Sequence, residues 1–264
     1  MKKRKGFETN LYIIIAIFIL SAMIFMAINK TFLMKSGVEV SVMKDIYMAK
    51  NALYSAKIYM DTALDYSIYN ALLALLASGF GKEVWEGELD NAYVIASMKN
   101  ETIKNLNRYT LTGFNFMGRF VKLPVYDIRD IELKMEDKIR IDLAKRYITF
   151  VENYPLGGER VTLKLAFHPT KNYSINIMPL VEKGNKILKE IRRSACSAVN
   201  LGDVLIDRIE DGYEIKAGVI EKHSKPCSAT IQVNITSPFL LLPDFNKHSR
   251  YALKNAKLSY YTKI

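Results

Sequence analysis

Leu11–Ile28 (LYIIIAIFILSAMIFMAI) runs for eighteen residues without a charge, a Gly or a Pro. As a helix it rises roughly 27 Å, close to the thickness of a bilayer core. Lys2-Lys3-Arg4-Lys5 stands directly before it, and cations flanking a span stay on the cytoplasmic side. Residues 1–10 therefore read as a cytoplasmic stub, 11–28 as a single transmembrane helix, and the rest as extracytoplasmic. A removable secretory signal fits poorly, because its apolar core is usually about 7–15 residues and small residues flank the cut. A cut after Ala27 would set Phe25 at the third position before it, and a cut after Ala22 would set Leu20 there. No second span is visible. Leu72–Ala77 is apolar but short, and Asp61 and Asp65 lie just ahead of it.

The anchor changes how the charge is read. The whole chain carries +11, and removing the first 28 residues takes away four cations and one acid, leaving about +8 outside. Those charges are mixed along the chain rather than blocked, so they describe a solvated surface and not a nucleic-acid face. Attraction to an anionic surface polymer is compatible with them.

From Asn10 to Ser78 there is no Pro and one Gly, Gly37. Val42, Ile46, Ala49, Leu53, Ala56, Met60, Ala63 and Leu64 recur at three- and four-residue steps, which predicts an amphipathic helix over Val38–Ser78. The reading leaves open whether this stalk, residues 29–82, continues the membrane helix or bends at Gly37. Gly79-Phe80-Gly81 is the expected stop. Tyr47, Tyr54, Tyr59, Tyr66 and Tyr69 decorate the helix, as aromatics packing under a domain would.

Two stretches carry a family resemblance. Lys5-Gly6-Phe7, a basic residue, a Gly and an aromatic before an apolar helix, resembles the cleavage region of type IV pilin-like signal peptides. Gly6 and Phe7 are the processing site that this implies, with Phe7 as the new N-terminus. The family usually carries a Glu at the fifth mature position; here that residue is Leu11, and the acid is Glu8. Tyr66-Ser67-Ile68-Tyr69-Asn70-Ala71, Trp85 and Leu106-Asn107-Arg108-Tyr109 are similar to stretches of archaeal membrane-anchored, pilin-like envelope proteins. The resemblance covers about the first 110 residues and implies surface location, assembly with protein neighbours, and an extracytoplasmic α+β domain.

Residues 83–264 read as that domain, mainly antiparallel β with one or two packed helices. Asp90 is an N-cap candidate for a helix over Asn91–Tyr109, and Thr110–Gly118 reads as a loop. Ile131–Met135 and Ile139–Leu143 alternate as a hairpin around Asp137-Lys138. Strands follow over Lys145–Tyr154, Val161–Phe167 and Tyr173–Met178, then a helix over Val181–Val199. Asp211-Gly212 predicts a tight hairpin between Asp203–Glu210 and Tyr213–Ile220. Ala229–Ile235, closed by Pro238, and Leu258–Ile264 complete the pattern; the last strand sets Lys257, Ser259, Tyr261 and Lys263 on an outer face. A terminal strand with outward Lys suits a protected edge, or an edge that accepts a partner strand.

Little in the sequence carries chemistry. Cys196 and Cys227 are the only cysteines. Outside the membrane an even pair predicts a disulfide, here closing a loop of about 32 residues; the competing reading is two buried thiols. His223, Cys227, Cys196 and His248 lack any CxxC or HExxH spacing, so no metal is assigned. Ser41-Val42-Met43-Lys44 has an S-x-x-K spacing without companion motifs. No cofactor, catalytic pair or small-molecule site is assigned. Asn29, Asn100, Asn172 and Asn234 begin Asn-x-Ser/Thr sequons. The chain reads as a non-enzymatic, membrane-anchored structural or interaction protein whose partners are the bilayer and envelope neighbours. The alternative is a tethered binding domain for an anionic polymer or peptide.

Overall fold

The structure is a computed structural model describing residues 4–82, 84–152, 161–199, 204–223, 228–243 and 253–263. Within these, the side chains of 4–20, 22, 31–42, 152, 161, 195–199 and 204 lie outside the description. The chain forms two compact units, Met1–Ala52 and Leu53–Ile264. Helix α1 (Arg4–Ala77) passes through Gly37 without interruption. Its part beyond Leu53 belongs to the second unit, so the fold begins well before the expected boundary at residue 83.

In that unit α1 is a core helix. Ala56, Met60, Leu64, Ile68, Leu72 and Leu76 recur every four residues and are essentially inaccessible. Each four-residue step turns about 40° around the axis, so this buried ridge winds around the helix rather than keeping to one narrow stripe. The helix ends as the glycines require: Phe80 N donates to Leu75 O at 2.7 Å, and Gly79, Phe80 and Gly81 all take positive φ. Helix α2 (Asn91–Thr110) starts at Asp90, whose carboxylate accepts from Tyr93 N at 2.6 Å.

The strands build three antiparallel sheets, as the period-two patterns predict. One runs β1 (Phe114–Phe116), β2 (Arg119–Lys122), β5 (Arg146–Glu152), β6 (Val161–Phe167). A second orders β3 (Ile131–Met135), β4 (Ile139–Leu143), β7 (Thr170–Tyr173). After helix α3 (Met178–Val199) the third sheet forms in the order β11 (Leu253–Lys263), β10 (Ala229–Pro243), β9 (Tyr213–Lys222), β8 (Val204–Glu210). This α+β architecture matches the sequence reading. Ile187, Leu188 and Ile191 bury one side of α3, while Ile215, Ala217, Ile231, Val233, Ile235 and Leu258 supply the inward face of the third sheet.

Four elements differ from the pattern-based reading. Thr110–Gly118 is not all loop: Met117 (φ 50°) and Gly118 (φ 81°) make the tight turn of the β1–β2 hairpin, with Gly118 N held by Asn115 Oδ1 at 2.9 Å. The predicted strand over Tyr173–Met178 is not formed: β7 ends at Tyr173, residues 174–177 are irregular, and α3 starts at Met178. Asn176 Oδ1 accepts from Met178 N at 3.1 Å, and Pro179 sits in the first turn, where its missing N–H costs nothing. Pro238 does not close β10. The register against β11 shifts between Thr236 and Leu241, and Pro238 occupies that irregularity while Ser237 Oγ accepts from the backbone N–H groups of Phe239 and Leu240. Finally, β11 starts at Leu253, five residues earlier than expected.

Candidate interaction surface

Trp85 organises one margin of the third sheet. Its indole stacks on Tyr260 with centroids 3.9 Å apart and planes 11° from parallel, and its Nε1 donates to Gly79 O at 2.9 Å. Tyr260 OH donates to Gly184 O at 2.9 Å, and burial pushes this phenol's pKa well above its ordinary value. Gly79, at φ 58°, has no room for a side chain at this contact, and Gly184 has little. A Cβ on Gly79 would lie 2.8 Å from Tyr260 Cβ, and one on Gly184 would lie 3.1 Å from the indole ring.

This packing lays Val84-Trp85 along the outer edge of β11. Val84 bridges Tyr261 in parallel sense, Trp85 N donates to Tyr261 O at 2.7 Å, and Thr262 Oγ1 donates to Trp85 O at 3.0 Å. Since Tyr261 O points away from β10, alternation along the strand turns the backbone groups of Ser259 and Lys257 the same way. Among the described residues nothing pairs with that side of Lys257–Ser259. Instead a groove of about 680 Å³ opens there between β11 and the last turns of α1. Leu73, Ala74 and Ala77 line its helical wall; Asn255, Lys257 and Ser259 line its strand wall. Among the described residues its charged lining is Lys254 and Lys257. The Glu214 pKa is lowered, first by the Lys216 hydrogen bond and also by the Lys257 charge.

The first unit presents a different surface. Met23, Ile24, Phe25, Met26 and Ile28 are each between 53% and 66% exposed. Successive helical residues point about 100° apart, so Met23–Met26 face every side of the helix rather than one stripe. Among the described residues no helix is long and apolar enough to cross a membrane; the side chains of Leu11–Leu20 and Ala22 lie outside that set.

Comparison with family models, with curated proteins and with solved structures finds no match. The site must be read from its own residues.

The sequence-derived candidates are dispersed. Gly6 and Phe7 fall in the helical backbone of α1, with side chains outside the description, and the Cys196 side chain and all of Cys227 also lie outside it, as does His248. His223 Nε2 lies 3.0 Å from Thr230 Oγ1, and among the described residues no group of three or more His, Cys, Asp or Glu could hold a metal. Of the sequon asparagines, Asn29, Asn100 and Asn172 are exposed, whereas Asn234 is half-buried and its Oδ1 accepts from Ser259 Oγ at 2.8 Å. Lys257, Tyr261 and Lys263 do share the exposed face of β11. The aromatic decoration of α1 splits: Tyr59 and Tyr69 pack on Phe114 and Tyr173, while Tyr47, Tyr54 and Tyr66 are exposed. The groove itself was not visible in the sequence, because its two walls lie some 180 positions apart and meet beside the contacts of Trp85 with Gly79, Tyr260 and Tyr261.

Proposed function

We propose that this chain is a membrane-anchored extracytoplasmic interaction protein, held in the bilayer by Leu11–Ile28 and presenting the Leu53–Ile264 unit to neighbours in the cell envelope. The carrying observation is the all-round apolar exposure at Met23–Met26. A helix that is apolar on every side needs lipid or deep burial, whereas one docking on a single partner needs only a stripe. The four cations at the N-terminus give the orientation, N-terminus inside. The pilin-like resemblance adds a role as a minor subunit or accessory of a surface assembly, with processing between Gly6 and Phe7.

A second reading is a tethered binding domain for an anionic polymer or peptide. It is favoured by Lys257, Tyr261 and Lys263, which share the exposed face of β11.

Protease added to cells stripped of their outer barrier tests the proposal. The bulk beyond residue 28 should be digested while the first residues survive in the membrane fraction, and mass analysis of that fragment reports whether the chain begins at Phe7. A full-length chain recovered in the cytosol, or protected from the protease, overturns the anchored reading; an intact Met1 overturns only the pilin-like part.

A further inference from the structure

We propose that Asn172 carries an N-linked glycan, added on the outer side of the membrane from a lipid-linked sugar donor. This rests on the extracytoplasmic reading of the Leu53–Ile264 unit.

Asn172-Tyr173-Ser174 straddles the end of β7. Its three side chains divide as extended backbone requires, since alternate residues share a face. Tyr173 points inward, only 8% exposed, and its hydroxyl donates to Asp65 Oδ1 at 2.6 Å. Asn172 and Ser174 are both exposed. A glycosyl transferase recognises the acceptor amide together with the hydroxyl two residues on, so the two must reach solvent together. The chain bends straight afterwards, where Ile175 N donates to Tyr173 O at 2.8 Å, and Ser174 therefore stands on a turn outside the ladder.

The surroundings leave room for the product. A glycan is bulky and needs solvent. The residue paired with Asn172 on β4 is Arg140, whose side chain is 56% exposed, and next to it on β3 the Lys134 side chain is 62% exposed. The outer face of this sheet is polar and open around Asn172.

Each of the other three sequons lacks one of these conditions. In Asn100-Glu101-Thr102 the helix α2 turns about 200° over two residues, and Thr102 is wholly buried. Asn234-Ile235-Thr236 lies in β10, paired on both sides by β9 and β11, and a glycan there would displace the Ser259 bond to Asn234 Oδ1. Asn29 follows Leu11–Ile28 directly, within the headgroup layer of an anchored chain.

In the transfer, Asn172 Nδ2 forms a bond to the anomeric carbon of the sugar. The bond from that carbon to the donor's phosphate breaks, the phosphate leaves on its lipid carrier, and one amide proton passes to solvent.

Mass analysis of the full-length chain extracted from its native membranes, intact and after proteolysis, tests this. The peptide bearing Asn172 should carry added sugar mass, and the peptide bearing Asn234 should not. Asn172→Gln and Ser174→Ala should each lose that mass completely, while Ser174→Thr, which restores the hydroxyl, should keep it. An Asn172 without sugar in a chain that is membrane-bound and open to added protease overturns the proposal and leaves the anchored reading standing. Sugar retained in Ser174→Ala, or found on Asn100 or Asn234 in place of Asn172, overturns it as well. A bare chain recovered in the cytosol overturns both, and fractionation tells the two failures apart.

Discussion

Asp65 accepts hydrogen bonds from Lys171 Nζ and from Tyr173 OH, each at 2.6 Å, and so ties β7 to α1. Lys171 also donates to Asp61 O at 2.8 Å. Burial, and then the bond to Asp65, hold the Tyr173 phenol well above its ordinary pKa, so it remains a donor at any ordinary pH. The two partners differ in what their loss leaves behind. Tyr173→Phe removes one donor and leaves Asp65 bonded to Lys171, a change of about 1 kcal/mol. Asp65→Ala strands a phenol whose residue is 8% exposed, and should cost about 1–3 kcal/mol. Urea unfolding of both variants and of the double variant checks this; the double should cost less than the sum, because both single changes break the same bond. In the sequence Asp65 is only an acid just ahead of the apolar run Leu72–Ala77. Helical spacing reports which side of α1 a residue faces and says nothing of β7, which arrives more than a hundred positions later.

At the level of elements, α3 and the β8–β9 hairpin are joined by charges. Glu210 accepts from Lys183 and Arg208 and pairs with Lys186 at 2.6 Å, while Arg208 forks onto both oxygens of Glu190. The Lys183 hydrogen bond, followed by those of Lys186 and Arg208, lowers the Glu210 pKa to about 2 from an ordinary 4.5. Glu190 moves the same way, chiefly through Arg208. A carboxylate depressed by folding stabilises fully above its unfolded value, and that contribution is lost as pH falls through the folded one. The β8–β9 hairpin should therefore loosen from α3 between about pH 4.5 and pH 2. Urea midpoints across this range should fall less steeply in Glu210→Gln than in the parent. A slope will remain from Asp130 and Asp142, whose pKa values are also lowered, by the Asp127 backbone and by Thr170 first.

The same hairpin shows what sequence patterns can and cannot reach. Asp211-Gly212 is readable because the turn's positive φ values favour those residue types, and the structure has 52° and 82° there. Met117-Gly118 makes the same kind of turn with a residue that gives no such signal, so β1 passes for loop. Pro238 misleads in the opposite sense, since a local register shift lets β10 carry a residue that normally ends strands. The groove beside β11 is further out of reach. Its strand wall follows from alternation, but its helical wall meets that strand beside the contacts of Trp85 with Gly79, Tyr260 and Tyr261, which no local pattern encodes.

For the whole molecule, the two units place different demands on their surroundings. Leu53–Ile264 buries its own apolar side chains, from Met60 and Leu72 in α1 to Val233 and Leu258 in the third sheet. In Met1–Ala52 the described side chains of Met23, Ile24, Phe25 and Met26 are exposed on every side of the helix. If lipid supplies the cover, the middle of Leu11–Ile28 is where a charge costs most. An Asp at the centre of a spanning helix is unfavourable by about 2.5–3.5 kcal/mol, and two such changes should exceed what the flanking Ile and Leu residues supply. The Ile15→Asp, Ile19→Asp double variant should leave the alkali-washed membrane pellet and appear in the supernatant, while the near-ultraviolet signal of Trp85 against Tyr260 stays as in the parent. Loss of both together would mean that the N-terminal helix is needed for the body to fold. Retention in the pellet would mean that something other than insertion of Leu11–Ile28 holds the chain there.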